Sequence, residues 1–286
     1  MSASINLAAA AVANAFTFDG TSSTTFKCIA YRYSVDNSPE KGYTAQAVPG
    51  SSGDILLDNR RFANVEHVYQ CIIYEDFDTN FAALKSFLLS RSGYCRLSDT
   101  THTDEFYHAY YMDAIEPTVS RDRVMGKFTL VFRRKPQRWL VSGETAVDFS
   151  GLSTVNLTNP TYFYAAPFFD LYLSGLSSGA GFYIKYPCHS KTGSSTLVDN
   201  KISFNVPSGY ASISHVTIDT ETLVTNRISA TGTISYSNKL AKYEIGEDVR
   251  TSLRLIPNAQ TSISKGTINN ASFASGSIVK PRWYRL

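Results

Sequence analysis

The 286 residues carry 27 Lys and Arg against 24 Asp and Glu, a net charge of +3, with 43% apolar and 18% charged side chains. That length favours two domains with separate cores, while the apolar content excludes a disordered chain and 17 Gly with 10 Pro exclude a collagen-like one. So small a charge leaves no footprint for a partner gripped along a polyanion, and its excess lies wholly in the second half, after Val141.

In chain order, Ile5 to Ala15 is apolar and ends in Ala13-Asn14-Ala15, which mimics a signal-peptidase site. The first basic side chain is Lys27, so the positive flank of a secretory signal is missing and the segment is not read as one. Ser34 to Gly53 follows as a loop-rich stretch with Pro39, Gly42, Pro49, Gly50 and Gly53 around Tyr43 to Val48. A segment of this kind inside a compact domain is functional or an arm. Val65 to Gln70 alternates like a strand, which puts His67 and Cys71 on one face without a third metal ligand. Phe77, Phe81, Leu84 and Leu88 then form one apolar stripe. A helix is expected from about Asp78 to Arg91, capped by Asp78 or Thr79 and stopped by Ser92-Gly93.

Asp99, His102, Asp104, Glu105 and His108 could be imagined as metal ligands. They lack the helical spacing of a His pair and read instead as a solvated hairpin end. Lys127 to Arg133 alternates as a half-buried strand, and the basic run Arg133-Arg134-Lys135-Pro136-Gln137-Arg138 reads as its solvated rim. A domain boundary is expected between Val141 and Pro160. Beyond it come short strand-like runs at Phe168–Leu173, Phe182–Tyr186, Ile202–Val206, Ser212–Asp219, Ile228–Tyr236 and Ser277–Arg282. Gly, Ser, Asn and Pro turns separate them, the pattern of an antiparallel β-sandwich.

Gly175-Leu176-Ser177-Ser178-Gly179 matches the nucleophile elbow of serine hydrolases, but a strand rather than a helix is expected after it, so the match is formal. Asn156 and Asn270 begin glycosylation sequons by pattern alone. Cys28, Cys71, Cys95 and Cys188 have no zinc or redox spacing and read as buried free thiols. No catalytic, cofactor or metal residues are assigned, which leaves a structural or binding role.

Several segments, in this order, resemble the siphophage distal tail protein family: Phe16-Thr17-Phe18-Asp19-Gly20 with Ser23, Val48-Pro49-Gly50-Ser51-Ser52-Gly53-Asp54 running on to Arg60, and Gly126 to Phe132. Arg134-Lys135-Pro136-Gln137-Arg138-Trp139 is similar to the end of that family's first domain, and Asn159-Pro160-Thr161, Ile218 to Glu221 and Pro281-Arg282-Trp283-Tyr284 to later landmarks. The resemblance covers Phe16 to Leu286.

It implies a mainly β chain with a ring-forming domain (16–141) and a galectin-like antiparallel β-sandwich (142–286), which leaves residues 1–15 as an N-terminal extension. The first domain would be sandwich-like, with one helix and a β-hairpin arm placed within Ser34 to Gly53. Tyr43, Thr44, Gln46 and Val48 would contact the next subunit. The implied role is structural: a homo-hexameric ring at the virion tail tip, made in the host cytoplasm. Its partners would be the tail tube protein, a tail-associated hub or lysin protein and receptor-binding proteins. DNA would pass through the ring without being bound, and nothing would insert into a membrane. The Ala-rich extension has no counterpart in the family. A second reading is a carbohydrate-binding module or adhesin that recognises host glycans through the sandwich, its tyrosines stacking on sugars.

Overall fold

The computed structural model describes residues 6–33, 37–50, 52–151, 153–174, 179–190, 194–206, 215–228, 234–236, 241–244, 253–269 and 271–286. Two compact units divide the chain, Met1–Trp139 and Leu140–Arg285. The protein is mainly β.

The first unit opens with a helix that periodicity did not suggest, α1 (Leu7–Ala13). Seven residues of Leu, Ala and Val are too few to show an amphipathic stripe, and caps at both ends hold them instead. Asn6 accepts a hydrogen bond from the Ala9 N–H at 3.1 Å, and Asn14 donates its side-chain amide to the Ala10 carbonyl. Ala11 is buried. Thr100 fastens the exit, its hydroxyl donating to the Ala13 carbonyl at 2.9 Å and its N–H to the Ala15 carbonyl at 3.1 Å. The Ala-rich segment is thus packed as part of the first unit.

Strands β1 (Phe16–Phe18), β2 (Thr21–Ser22), β3 (Cys28–Arg32), β4 (Lys41–Ala47), β5 (Asp54–Phe62) and β6 (Val65–Ile73) precede α2 (Phe77–Leu89). Then come β7 (Cys95–Asp99), β8 (Glu105–Tyr111), β9 (Thr118–Val119), β10 (Gly126–Arg134) and β11 (Arg138–Leu140). One sheet runs in the order β2-β1-β7-β8-β10-β6-β3, with β9 beside β10 and β11 beside β8. Laid flat, β1 and β10 would stand roughly 14 Å apart, three strand spacings. The rings of Phe16 and Phe18 nonetheless lie 5.6 and 5.1 Å from that of Phe132. The sheet therefore curls over, and β1, β7 and β8 face β3, β6 and β10 across one core. Pairing between β8 and β10 is confined to Ala109–Tyr111 against Phe132–Arg134, which lets the halves part.

Helix α2 closes this core with Phe77, Leu84 and Leu88. Its N-cap is Asp76, two residues before the nearer of the two expected caps and without a side-chain cap bond, while Asp78 turns outward to pair with Arg123 at 2.6 Å. Phe77 needs Gly126 beneath it: a Cβ there would sit 2.3 Å from the ring.

In the second unit α3 (Val141–Glu144) and β12 (Val147–Asp148) lead to β13 (Thr154–Thr158), β14 (Phe168–Ser174), β15 (Gly181–His189) and β16 (Leu197–Asn205). These are followed by β17 (His215–Asp219), β18 (Val224–Ile228), β19 (Ile234–Tyr236), β20 (Ala241–Glu244), β21 (Gln260–Ile268), β22 (Ser272–Phe273), β23 (Ile278–Lys280) and β24 (Tyr284–Arg285). One antiparallel sheet runs β12-β23-β14-β17-β18-β19 with β22 beside β14, and the other β13-β21-β15-β16-β20. Phe169, Leu171, Val216 and Ile218 from the first sheet meet Phe182, Ile184, Ile202 and Phe204 from the second in one buried cluster. This is an antiparallel sandwich, filled by the inward positions of strands that alternate in burial. The segment expected as one strand from Ile228 to Tyr236 holds the end of β18 and then β19. Ser212 to Ser214 and Pro207-Ser208-Gly209 lie outside the described residues, as do Gly175 to Ser178 and Asn270.

All four cysteines are free, with Cys28, Cys71 and Cys188 buried. Among the described residues no helix is long and apolar enough to cross a membrane.

Candidate assembly interface

Strands β4 and β5 pair with each other and form a sheet of their own. The loop-rich stretch thus supplies the first strand of a hairpin. Its second strand lies beyond Gly53, because Asp54 to Phe62 pairs back onto Lys41 to Ala47. Gly50 and Gly53 take the positive φ values, +83° and +90°, that the tip requires. The ladder holds Tyr43 opposite Asp58, Thr44 opposite Leu57, Ala45 opposite Leu56 and Gln46 opposite Ile55, with a bulge between Lys41 and Tyr43.

Opposed residues share a face. Tyr43, Ala45, Ala47 and Leu56 therefore occupy one side, where Lys41 bridges to Asp58 at 2.9 Å and lies 4.9 Å over the Tyr43 ring. Thr44, Gln46, Ile55 and Leu57 occupy the other, where the Thr44 hydroxyl donates to the Asn59 side chain. Ile55, Leu56 and Leu57 are 53%, 64% and 51% exposed, and Tyr43 is 49% exposed. Of the four residues singled out from sequence, Tyr43 falls on one face and Thr44 with Gln46 on the other, while Val48 sits past β4 in the tip. Ile55 to Leu57 were missed. Their signal was an apolar run without alternation, which marks a ribbon apolar on both sides.

At the base of the hairpin the residues expected to form a solvated end are turned inward. Asp99 and Glu105 are buried. Asp99 Oδ1 accepts the N–H groups of Thr101 and His102, and Oδ2 accepts the Tyr69 hydroxyl at 2.9 Å. Burial alone would raise the carboxyl's pKa. The nearby His67 ring, the His102 N–H, the Arg32 charge and the Tyr69 hydroxyl outweigh it and hold the group well below the usual carboxylate range. Glu105 accepts from Arg138 Nε at 2.7 Å, and the His108 ring packs edge-on against Phe106 and Trp139. Asp104 alone of this set is exposed in the turn.

The basic run is likewise only partly a rim. Arg133 pairs with Glu66 on the outside, but Arg134 is buried, donating to the carbonyls of Lys135 and Pro136 with its guanidinium 4.9 Å from the Tyr107 ring. His67 and Cys71 do share the inward face of β6, and burial pushes the Cys71 thiol well above its ordinary value. No group of three potential metal ligands forms among the described residues. Ser177 lies outside them, in the connection between β14 and β15.

A cavity of about 610 Å³ lies on the outer face of β3, β6 and β10, lined by Tyr31, Gln70, Ile72, Glu116, Lys127 and Val131. It combines apolar walls with one charge of each sign.

No protein-family model matches the sequence, and no curated protein does. Among solved structures the chain is similar to the SPP1 Dit (gp 19.1) protein, described as a paradigm of the hub adsorption apparatus in phages that infect Gram-positive bacteria. Identity is 14%, the TM-score is 0.59, and the match spans 95% of this chain and 99% of that one. The chain has the Dit fold. That fold runs through both units and agrees with the landmarks read along the sequence.

Proposed function

We propose that the chain is a distal tail protein, a structural part of a phage tail tip that assembles as a hexameric ring. The observation that carries this reading is the arm: a hairpin that exposes apolar side chains on both faces, on a chain that shares its fold with a tail hub protein from end to end. An isolated two-stranded ribbon is marginal in water, so burial against another copy is the simplest source of its order. Tyr43, Thr44, Gln46 and Val48, together with Ile55, Leu56 and Leu57, would form the contact. The acceptor would be the β3 edge and the adjoining cavity of the next subunit. Each arm leaving one subunit and docking on the next gives a head-to-tail contact, and closing the ring leaves no sticky edge.

The ring would join the tail tube to the tail-tip hub protein and receptor-binding proteins and leave a channel for DNA ejection. Up to Val141 the chain has equal numbers of acidic and basic residues, which suits a conduit that lets DNA pass without holding it. The expected assembly has a mass about six times 31.6 kDa by light scattering, with a ring in electron micrographs. Replacing Lys41 to Phe62 with a short Gly-Ser linker is expected to leave a folded monomer. A ring that survives the replacement would refute the arm's role.

Less supports the glycan reading. Trp139 and Trp283 are both buried; of the exposed tyrosines described in the second unit, Tyr172 already stacks on His215 at 4.2 Å, and Tyr162 is 83% exposed.

A further inference from the structure

Where the arm leaves the core, the two strands that carry it meet one buried carboxylate. Arg32 ends β3, and its Nη1 lies 3.7 Å from Asp99 Oδ2. His67, third in β6, places Nε2 3.4 Å from the same oxygen, close but too poorly aligned for a formed hydrogen bond. Arg32 Nη1 also reaches His102 Nδ1 at 2.5 Å and the Tyr107 hydroxyl at 3.3 Å. The His67 ring sits 4.9 Å from the rings of both Tyr69 and Tyr107. The charged and titratable groups around it are therefore Arg32 from β3, Tyr69 from β6, Asp99 from β7, His102 from the following turn, Tyr107 from β8 and Arg134 from β10. The Glu105–Arg138 pair adds its field at Tyr107. Past this cluster, Tyr33 N–H donates to the Val68 carbonyl at 2.9 Å and Ala63 N–H to the Glu40 carbonyl at 2.8 Å, and the arm begins.

We propose that the Asp99 cluster is a charge latch that fixes the direction in which the arm leaves the core, with His67 as its acid-sensitive member. The latch rests on the reading of the arm as an assembly element. Neutral His67 fills the slot between two tyrosine rings without adding charge. Burial, the first cause, and the Arg32 and Arg134 charges hold its proton affinity below that of a free imidazole despite Asp99. A proton on the ring would put a third cation beside Arg32 and Arg134 around one carboxylate, away from water. On the arm side of the cluster, Tyr33 next to Arg32 is 67% exposed. Opening that end relieves the crowding and frees the arm's root.

Amide hydrogen exchange on the full chain tests this at about pH 7.5 and about pH 5, corrected for the intrinsic rate. Segments Tyr31–Tyr33 and Val65–Val68 are expected to exchange about tenfold faster in acid, with Leu130–Phe132 and Ile184–Tyr186 unchanged. His67→Gln should abolish the response and His102→Gln should retain it. Loss of protection at root and core together overturns the latch. So does a His67→Gln variant that responds like the native chain, or a response that follows His102. Should a variant not fold, the root-against-core comparison in the native chain decides. Native mass at both pH values reads assembly separately: a working latch on a permanent monomer removes the ring reading and keeps the latch, and a ring with an acid-insensitive root does the reverse.

Discussion

Hairpins β4–β5 and β15–β16 are built from the same kind of ladder and meet opposite fates. In β15, Phe182, Ile184, Tyr186 and Cys188 point one way into the sandwich, and Ile202 and Phe204 of β16 join them, while Tyr183 and Lys185 face out. In β4–β5 no described side chain is fully buried. The difference lies in patterning more than in apolar content. Strict alternation gives a strand one face to hide inside its own chain, whereas Ile55-Leu56-Leu57 gives the arm two faces that a single core cannot cover. Under the proposed assembly, a ribbon of that kind is completed from outside.

Substitutions can break this comparison. The largest effect is expected at Phe182, which stacks on Phe204 at 5.4 Å: Phe182→Ala should cost about 3–5 kcal/mol in urea unfolding. Gly126→Ala drives a methyl group into the Phe77 ring and should cost about 1–3 kcal/mol, with α2 losing exchange protection first.

Acid comes next. The folded pKa of His67 lies below its unfolded value, so the unfolded chain binds the proton first. Its contribution is complete above about pH 6.5 and declines below it, by at most about 1.4 kcal/mol per pH unit. Asp99, also held low, contributes until the pH falls past the ordinary aspartate value and loses its contribution only there. Unfolding curves between about pH 6.5 and pH 4 should therefore be flatter for His67→Gln than for the native chain.

The smallest effect on stability is expected in the arm. Leu56→Ser on one face, or Ile55→Ser with Leu57→Ser on the other, should each change monomer stability by under about 0.5 kcal/mol. Each should also lower the assembled mass. If only one face matters to assembly, the arm lies on a surface instead of between two.

Local patterns made much of this legible. Four residues at helical spacing gave α2, and Phe128, Leu130 and Phe132 gave β10 through simple alternation. The second arm strand escaped because its apolar run has no period. The latch escaped for a different reason: Arg32, His67 and Asp99 stand on three strands far apart in the chain, and only the curl of the sheet brings them to one carboxylate. The curl also buried Asp99 beside Arg32, while β11, paired next to β8, brought Arg138 to Glu105, so an apparent solvated end met cations that no linear spacing announces.

The arm stands between β3 and β6 in the chain, with two residues separating β5 from β6, and this has a mechanical consequence. Force on the hairpin enters the core at Arg32 and Val65. From there β6 is held to β10 along its whole length, from Val65 opposite Arg134 to Ile73 opposite Gly126. A pull along the strand axis loads that entire ladder in shear, so its hydrogen bonds resist together instead of unzipping one by one. The arm is anchored as a handle is riveted to a plate, and a load along the strand axis would meet the strongest direction the sheet has.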